Sequence, residues 1–243
     1  MAALRTFLRR LIHRRGQRVR ERGQSMVEMA LSLPILLLVL SGTVEVGWYF
    51  NTYLTLVDAT REAARYAADG DLVLRDYTNA DGCDKDFFYQ STCLLKQNMF
   101  GVTFDENADD VVISVLTINA DGEVEWRYPY PTSMSNPLCT EIVPPGYYCA
   151  DPIVSDDEHG WSYQAHRQAG SAAIRTSFFT KADIETRLPE GASNNGIVIA
   201  EIFHVHRQFL GLIPPDLPFL PQEIMMHAYT IMPMPAAAPI AEP

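Results

Sequence analysis

Three histidines are spaced so that a β-sheet could bring their metal-ligating nitrogens together. His204 and His206 are two residues apart in an apolar, β-branched segment, so in a strand both side chains would project from one face. His227 lies in a second strand-like segment, which we expect to pair with the first. Three imidazoles form a known zinc ligand set. The alternative, which the sequence favours, is that they are ordinary polar side chains of a strand, so we predict no metal and no cofactor.

Four cysteines could form structural disulfide bonds. Cys83 and Cys93 are ten residues apart, as are Cys139 and Cys149, and each pair encloses a polar, turn-prone segment. An external compartment would allow these thiols to oxidise. Zinc would favour CxxC-type spacing, which is absent. Three connectivities are open, and we favour the local one, which joins Cys83 to Cys93 and Cys139 to Cys149.

The sequence contains no recognisable catalytic motif. It lacks the G-x-S-x-G nucleophile elbow, the P-loop and the G-x-G-x-x-G dinucleotide fingerprint. The acidic residues Asp105, Glu106, Asp109 and Asp110 could bind calcium, but they lack the D-x-[DN]-x-[DN]-G loop. We therefore expect a solvated acidic turn at this point, and we predict that the protein is not an enzyme.

Glu28 is a carboxylate at one end of a long apolar run. It is separated from Glu45 by residues 29–44, which carry no charge, and an ionised side chain inside a membrane is costly. Glu28 also lies five residues after Gly23 in G-Q-S-M-V-E, behind a basic leader. A carboxylate in lipid is best neutralised by a cation. The alternative is that the position of Gly23 before Glu28 has no functional meaning and that Glu28 lies at the level of the lipid headgroups.

The element that must position this carboxylate is a membrane helix. Residues 29–44 would span about 24 Å as a helix, and the apolar neighbours extend this to the ~30 Å of a bilayer core. Trp48, Tyr49 and Tyr53 cluster at the far end, where aromatic rings favour the membrane–water boundary. The membrane part is therefore predicted at about residues 26–50.

The same helix is predicted to continue beyond the membrane. Apolar residues recur at three- and four-residue spacing as far as Asp69, and alanine is frequent. The first glycine after Gly47 is Gly70, which can end a helix. We predict one continuous helix over residues 24–69.

The charge distribution predicts how this helix is oriented. The first 22 residues hold eight arginines and one glutamate, whereas the whole chain has 19 basic and 30 acidic residues. The positive-inside rule therefore predicts a cytoplasmic leader, residues 1–23, and an extracytoplasmic remainder. A basic run can also bind nucleic acid, but before a membrane helix it favours orientation and contact with anionic lipid. A cleavable secretory signal is the rival, which the long leader, Glu28 and the continuing helix argue against.

The residues beyond Gly70 predict an α+β domain with a small antiparallel β-sheet, covering residues 70–232. The strongest signal is a hairpin, in which two alternating segments flank an Asp-Gly turn at residues 119–122. A stapled loop rich in Pro, Ser, Cys and Tyr follows at 129–157, and a disordered Pro/Ala tail is expected at 233–243. The other predicted elements are helices at 87–100 and 161–181, a linker at 186–196, a Pro-rich apolar loop at 209–221 and strands at 111–118, 123–130, 197–207 and 223–232.

The detailed sequence of the stem is more specific than its hydropathy. It reads RGQ at residues 22–24, VE at 27–28, LP at 33–34, ExG at 45–47 and TREAARYA at 60–67. This series resembles the opening of TadE-like proteins, the minor pseudopilins of tight-adherence (Flp) pilus systems. The strand, Pro-Leu-rich loop and closing strand near the C-terminus resemble the end of such chains. The long middle region departs from a typical short member of the family.

The resemblance implies a role in pilus assembly and a pilin-like extracytoplasmic domain. A prepilin peptidase would cut between Gly23 and Gln24, and the carboxylate at the fifth mature position, Glu28, would take part in subunit docking. Glu45 would need a partner or the outer headgroups, and we count it with Glu28 as an assembly residue. The implied partners are the lipid bilayer, the prepilin peptidase, other pilins or pseudopilins and the assembly machinery. The implied location is the bacterial inner membrane, or the pilus itself.

Two other functions fit the same residues. The chain could be an unrelated single-pass protein whose acidic, disulfide-stapled outer domain binds a ligand or a surface, as an adhesion protein does. It could also be an anchored, metal-dependent enzyme that uses the histidines. Processing by a prepilin peptidase would separate the first of these from a pseudopilin, and metal analysis would test the second.

Overall fold

In the computed structural model, the backbone is described for residues 2–70, 87–130, 149–152, 160–166, 173–188, 195–210 and 223–234. Side chains are described for the same residues except 2–23, 129–130, 149–152 and 166. The architecture is α+β, as predicted: a long N-terminal helix is followed by a domain with a small antiparallel sheet.

The first helix, α1, spans Ala2–Asp69 and is continuous through Pro34. It ends at Asp69 as predicted, and the Gly70 N–H donates to Ala67 O at 3.1 Å. It begins earlier than predicted because the leader is rich in alanine, leucine and arginine, all strong helix formers. Its Gln24–Asp69 portion is long and apolar enough to cross a membrane, by length and composition.

The two halves of α1 have different surroundings. The large apolar side chains of residues 26–40 are exposed, and so is most of the apolar surface as far as Phe50. The second half packs against the sheet and against a second helix, α2 (Phe87–Gln97), whose formation confirms the helix predicted there. Small side chains let α1 lie close to both; its fully buried residues are Leu56, Ala59, Thr60, Ala63, Ala64 and Ala67.

The sheet has the strand order β3-β2-β1-β5-β6, and every pair is antiparallel. The predicted hairpin is confirmed, with Gly122 at φ 83° in its turn, a backbone conformation that suits glycine. The predicted strands at 197–207 and 223–232 are also confirmed, and they pair along their whole length. The strands are β1 (Asp110–Ile118), β2 (Val124–Tyr130), β3 (Cys149–Pro152), β4 (Trp161–Ser162), which pairs with β1, β5 (Gly196–Arg207) and β6 (Glu223–Met234).

Both faces of the sheet are covered, because successive strand residues point to opposite sides. On the inner face, Val198, Ala200 and Ile202 pack with α1 and α2. On the outer face, Ile197 and Ile199 pack with a segment that contains the short helix α4 (Lys181–Glu185). The central strands β1 and β5 are therefore almost entirely buried.

The continuous helix predicted over residues 161–181 is wrong, because only short parts of the described segment are helical. Trp161 and Ser162 pair with β1, a single helical turn, α3 (Tyr163–His166), follows, and residues 173–180 are irregular. The buried Asp110 carboxylate accepts hydrogen bonds from the backbone N–H groups of Gln164 and Arg175, which holds the chain out of a continuous helix. Alanine spacing alone did not reveal this competing partner.

Two further boundaries differ from the predictions. β6 continues through Pro233 and Met234, where a disordered tail was expected, because an edge strand tolerates proline and the Met234 side chain is fully buried. β3 lies inside the segment predicted as a stapled loop. Apart from residues 129–130, which end β2, the rest of that loop lies outside the described residues, as do most of the predicted linker and apolar loop and residues 235–243.

Candidate functional site

The exposed half of α1 satisfies most of its polar groups within the helix. The hydroxyls of Ser32, Ser41 and Thr43 each donate to a backbone carbonyl three or four residues earlier. A methyl group added at Gly42 or Gly47 would meet no atom within 4 Å, so the surface there is open. This half of the helix therefore presents an apolar surface, and few of its polar groups need a hydrogen-bond partner from outside the helix.

Glu28 is the exception near the inner end. Its side chain is exposed and accepts a hydrogen bond from the Gln24 side-chain amide at 3.1 Å. No cationic group neutralises it within the described part of the chain, which begins, for side chains, at Gln24. The two predicted processing residues, Gly23 and Gln24, lie one helical turn before it.

Glu45, at the other end of the apolar run, has two backbone partners. The N–H groups of Phe209 and Leu210, just beyond β5, donate to its two carboxylate oxygens at 3.0 and 2.5 Å. The Phe209 ring stacks on Trp48 with centroids 4.8 Å apart, and Tyr49 meets the His206 ring edge-to-face at 5.4 Å. The end of β5 is thus held on the helix at the level where the apolar run stops.

His204 and His206 face α1 and are buried, so the polar strand face expected for them is wrong. His204 Nδ1 lies 2.8 Å from Asp109 Oδ2, and Asp109 Oδ1 accepts the Val205 backbone N–H at 2.8 Å. Burial lowers the pKa of His206, its neighbour His204 lowers it further, and the Glu45 carboxylate opposes both. His206 thus connects the end of β5 to α1, and His204 connects it to the residue before β1.

The solvated acidic turn expected at residues 105–110 is also only partly correct. Asp105 and Glu106 are partly exposed and pair with Arg207 and Lys96, at 3.1 and 2.6 Å. Asp109 and Asp110 are fully buried instead. Burial raises the pKa of Asp110 although four hydrogen bonds to its carboxylate act in the opposite direction. Asp109 and Asp110 lie at the start of β1. Sequence spacing could not show that β4 and β5 would pair with this strand and help to bury the two carboxylates.

On the outer face of the sheet, Glu201 is fully buried between two side-chain partners and also accepts the Phe178 backbone N–H. The Ser177 hydroxyl donates to Glu201 Oε2 at 2.5 Å, and His227 Nε2 lies 3.0 Å from Oε1. The carboxylate thus lies between the serine and the histidine, whereas a nucleophilic triad needs the histidine in the middle. Aromatic rings surround the imidazole, with Phe203 stacked on it at 4.6 Å. This group stabilises the attachment of the outer segment to the sheet.

The three histidines do not meet. His227 pairs with Phe203 across β5 and β6, so its ring lies on the outer face, whereas His204 and His206 point to the inner face. Among the described side chains, no group of three or more His, Cys, Asp or Glu could hold a metal ion. The three-histidine site is therefore excluded by strand register.

Of the four cysteines, the structure describes the side chain of one. Cys93 lies on α2 and is disulfide-bonded. Cys83 and Cys139 lie outside the described residues, and only the backbone of Cys149, the first residue of β3, is described. The local pairing therefore stays a prediction.

Sequence reasoning missed the partners of Glu45 and the burial of Asp109, Asp110 and Glu201. A usable signal existed for one of them, since Glu201 interrupts the apolar run IVIAEIF, and a charge there needs a partner. The Glu45 contacts have no such signal, because they join residues more than 160 positions apart.

The fold and these contacts define a class of protein with two parts. The first is a helix that is able to span a membrane once. The second is an α+β domain that packs on the second half of this helix, and the chain just beyond β5 contacts the helix where its apolar run stops.

Comparison with known families is more specific. The family model described as TadE-like protein matches residues 23–65, which confirms the resemblance of the stem. The match relates the chain to Tad pilus systems, a setting in which such proteins are in general not enzymes. No curated protein and no solved structure matches the chain.

Proposed function

We propose that the protein is a minor pseudopilin that takes part in assembly of a tight-adherence (Flp-type) pilus. The observation that carries the proposal is the division of α1. Residues 24–50 form a mostly exposed apolar helix that carries the carboxylate of Glu28, five residues after Gly23, and the part of α1 after residue 50 packs against the domain. An exposed apolar helix in one chain is suited both to a bilayer and to lateral packing against other helices.

The polar contacts support a docking role for Glu28. Asp109 and Glu201 accept several hydrogen bonds inside the domain, and Glu45 accepts two backbone N–H groups. Glu28 accepts one, from a neutral amide at the surface of its own helix. A carboxylate retains further accepting capacity in that state, and in lipid a cation from another chain would stabilise it strongly.

In this proposal a prepilin peptidase removes residues 1–23 on the cytoplasmic side, and Gln24 becomes the first residue. The new amine of one chain then neutralises Glu28 of its neighbour, which sets the axial register of packed stems. The outer domain, residues 70–232, remains on the extracytoplasmic side of the inner membrane or enters the pilus. The partners are other pilins or pseudopilins, among them a second TadE-like chain, and the assembly machinery.

The first test is the N-terminus of the membrane-extracted full chain, measured by intact mass and terminal peptide with and without a co-expressed prepilin peptidase. We expect a chain that begins at Gln24 only when the peptidase is present. Gly23→Leu should abolish cutting, whereas Gly16→Leu, the matched change at the other leader glycine, should not. A chain that begins at Met1 under both conditions would refute the processing step.

The second test separates docking from processing. Glu28→Ala and Glu28→Gln should both be cut normally but should lose cross-linking to neighbouring pilin stems, because neither offers a negative charge. Glu62→Ala removes an exposed carboxylate from the second half of the same helix and should have no effect. Normal cross-linking of both Glu28 variants would rule out the charge-based docking step while leaving membrane anchoring untouched.

A further inference from the structure

Two apolar side chains beside the outer end of the membrane helix are exposed to the surroundings. Phe209 and Leu210 lie two and three residues beyond the end of β5, and 57% and 37% of their surfaces are exposed. Their backbone N–H groups do not face outward, because both donate to the Glu45 carboxylate. The segment therefore presents apolar side chains to its surroundings while these two backbone donors are satisfied inside.

The helix determines the depth at which this segment lies. Glu45 and Trp48 are 17 and 20 residues beyond Glu28, which corresponds to about 25 and 30 Å along a helix axis. This matches the ~30 Å of a bilayer hydrocarbon core. If Glu28 lies at the inner boundary, Phe209, stacked on Trp48, lies at the outer one.

We propose that Phe209 and Leu210 form a second lipid contact, which enters the outer interfacial region of the bilayer beside α1. Glu45 is the positioning residue that holds them there. Lipid is the occupant we infer because the surface is continuous with the membrane half of α1. An aromatic residue at that level is typical of the membrane boundary.

Satisfaction of the backbone is the second argument. Irregular backbone near the hydrocarbon region is unfavourable unless its N–H groups have partners. Glu45 supplies partners for two consecutive N–H groups at the point where β5 ends and sheet pairing can no longer do so. The same contact accounts for a carboxylate at the outer end of an apolar helix. The proposal rests on the membrane-anchored part of the proposed function and on neither processing nor pilus entry.

The test is quenching of tryptophan fluorescence by brominated phosphatidylcholine in vesicles that contain the full chain. The reporter is F209W in a W48F/W126F background, and the background protein alone gives the contribution of Trp161, which is fully buried. Vesicles carry bromine either near the headgroup or near the bilayer centre. We expect the introduced tryptophan to be quenched, and more strongly by the headgroup-proximal bromine.

The same vesicles test anchoring separately. Trp48, measured as the difference between the wild-type chain and W48F, reports whether the outer end of α1 lies at the boundary. Quenching of Trp48 without quenching at position 209 would overturn the lipid contact and leave the anchor intact. No quenching at either position would overturn both. Cross-linking of position 209 to another pilin chain in place of quenching would show that a protein covers the segment, and the proposal would be wrong.

Variants of Glu45 test its positioning role. In the reporter background, Glu45→Ala should cause loss of the depth-dependent quenching, and Glu45→Gln, which keeps one carbonyl acceptor, should cause a smaller loss. Glu62→Ala is the matched control and should leave quenching unchanged. The far-UV circular dichroism should not change in any of these variants, since it reports the helices and strands and not the position of the introduced tryptophan. Full quenching in Glu45→Ala would refute the role of Glu45.

Discussion

At the scale of single residues, the acidic side chains differ in what satisfies them. Glu201 is held by a serine hydroxyl, a backbone N–H and His227, while Asp109 is held by His204 and backbone N–H groups. Each replaces lost hydration with several hydrogen bonds, as a buried carboxylate must. Glu28 has no comparable shell among the described residues. The contrast separates the carboxylates that stabilise the domain from Glu28, for which we propose a partner on another chain.

His206 yields a prediction about pH. Its pKa in the folded protein is lowered, chiefly by burial, so the folded state binds fewer protons than the unfolded state as pH falls below the usual value of about 6.5. The stability that depends on neutral His206 is therefore complete above that pH and is lost on acidification toward the folded pKa. We expect thermal unfolding temperatures of the detergent-solubilised chain to fall over this range.

His206→Phe is the matched variant, because it keeps a ring against Tyr49 and removes the titration. It should unfold at a temperature similar to wild type near pH 8 and should lose less stability near pH 5. Both proteins retain Asp110, whose raised pKa stabilises the folded state as pH falls. Because this contribution is the same in both proteins, it cancels when their unfolding temperatures are compared. Parallel curves for the two proteins would contradict the assignment to His206.

At the scale of elements, the second half of α1 is the base on which the domain is built. Its fully buried apolar residues at the contact with α2 and the sheet are four alanines and one leucine, so the surfaces approach closely. Thr60, also buried, hydrogen-bonds Thr230 of β6 across the same interface at 3.1 Å. One helix therefore combines a portion that is apolar enough to cross a membrane with a portion that belongs to the core of the domain.

This close packing predicts the effect of a larger side chain. Ala63→Leu inserts bulk into a fully buried position and should lower the free energy of unfolding by about 1–3 kcal/mol. Arg65→Leu introduces the same side chain at an exposed position of the same helix and should change stability by no more than about 0.5 kcal/mol. Urea unfolding in detergent, followed by near-UV circular dichroism, measures both. Equal effects of the two changes would argue against the helix–sheet interface.

At the scale of the whole molecule, charge is distributed unevenly along the chain. The leader is strongly basic and the remainder is strongly acidic. The positive-inside rule therefore predicts a cytoplasmic leader and an extracytoplasmic domain. In the predicted orientation, Arg61 and Arg65 would lie shortly beyond the membrane on the opposite side, where they would act against the leader. The leader has the larger excess, so its contribution should dominate.

Orientation is tested with a periplasmic reporter, such as alkaline phosphatase, fused to the C-terminus. We expect an active fusion, and activity should fall when the leader arginines are replaced by glutamine, because the retention signal is then weakened. Replacement of Arg61 and Arg65 by glutamine is the matched control and should leave activity intact. An inactive fusion of a normally expressed chain would reverse the inferred topology.

The sequence alone was sufficient for features that depend on local patterns. The end of α1 at Asp69, helix α2, the Asp-Gly hairpin and strands β5 and β6 all follow from periodicity and turn chemistry, which act over a few residues. The TadE-like character of residues 23–65 is equally local. The helix prediction for residues 161–181 failed because backbone N–H groups of this segment donate hydrogen bonds to Asp110, which is distant in the sequence.

Only the tertiary structure decided which distant residues meet. Strand register places His227 on the face of the sheet opposite to His204, which excludes the three-histidine metal site. A shift of the register by one residue would have moved the side chain of His227 to the other face. Folding of the strand end onto the helix gave Glu45 its partners, Phe209 and Leu210. Such contacts depend on how whole elements pack and not on sequence spacing. For that reason the position of the strand end beside the membrane helix could not be derived from the sequence.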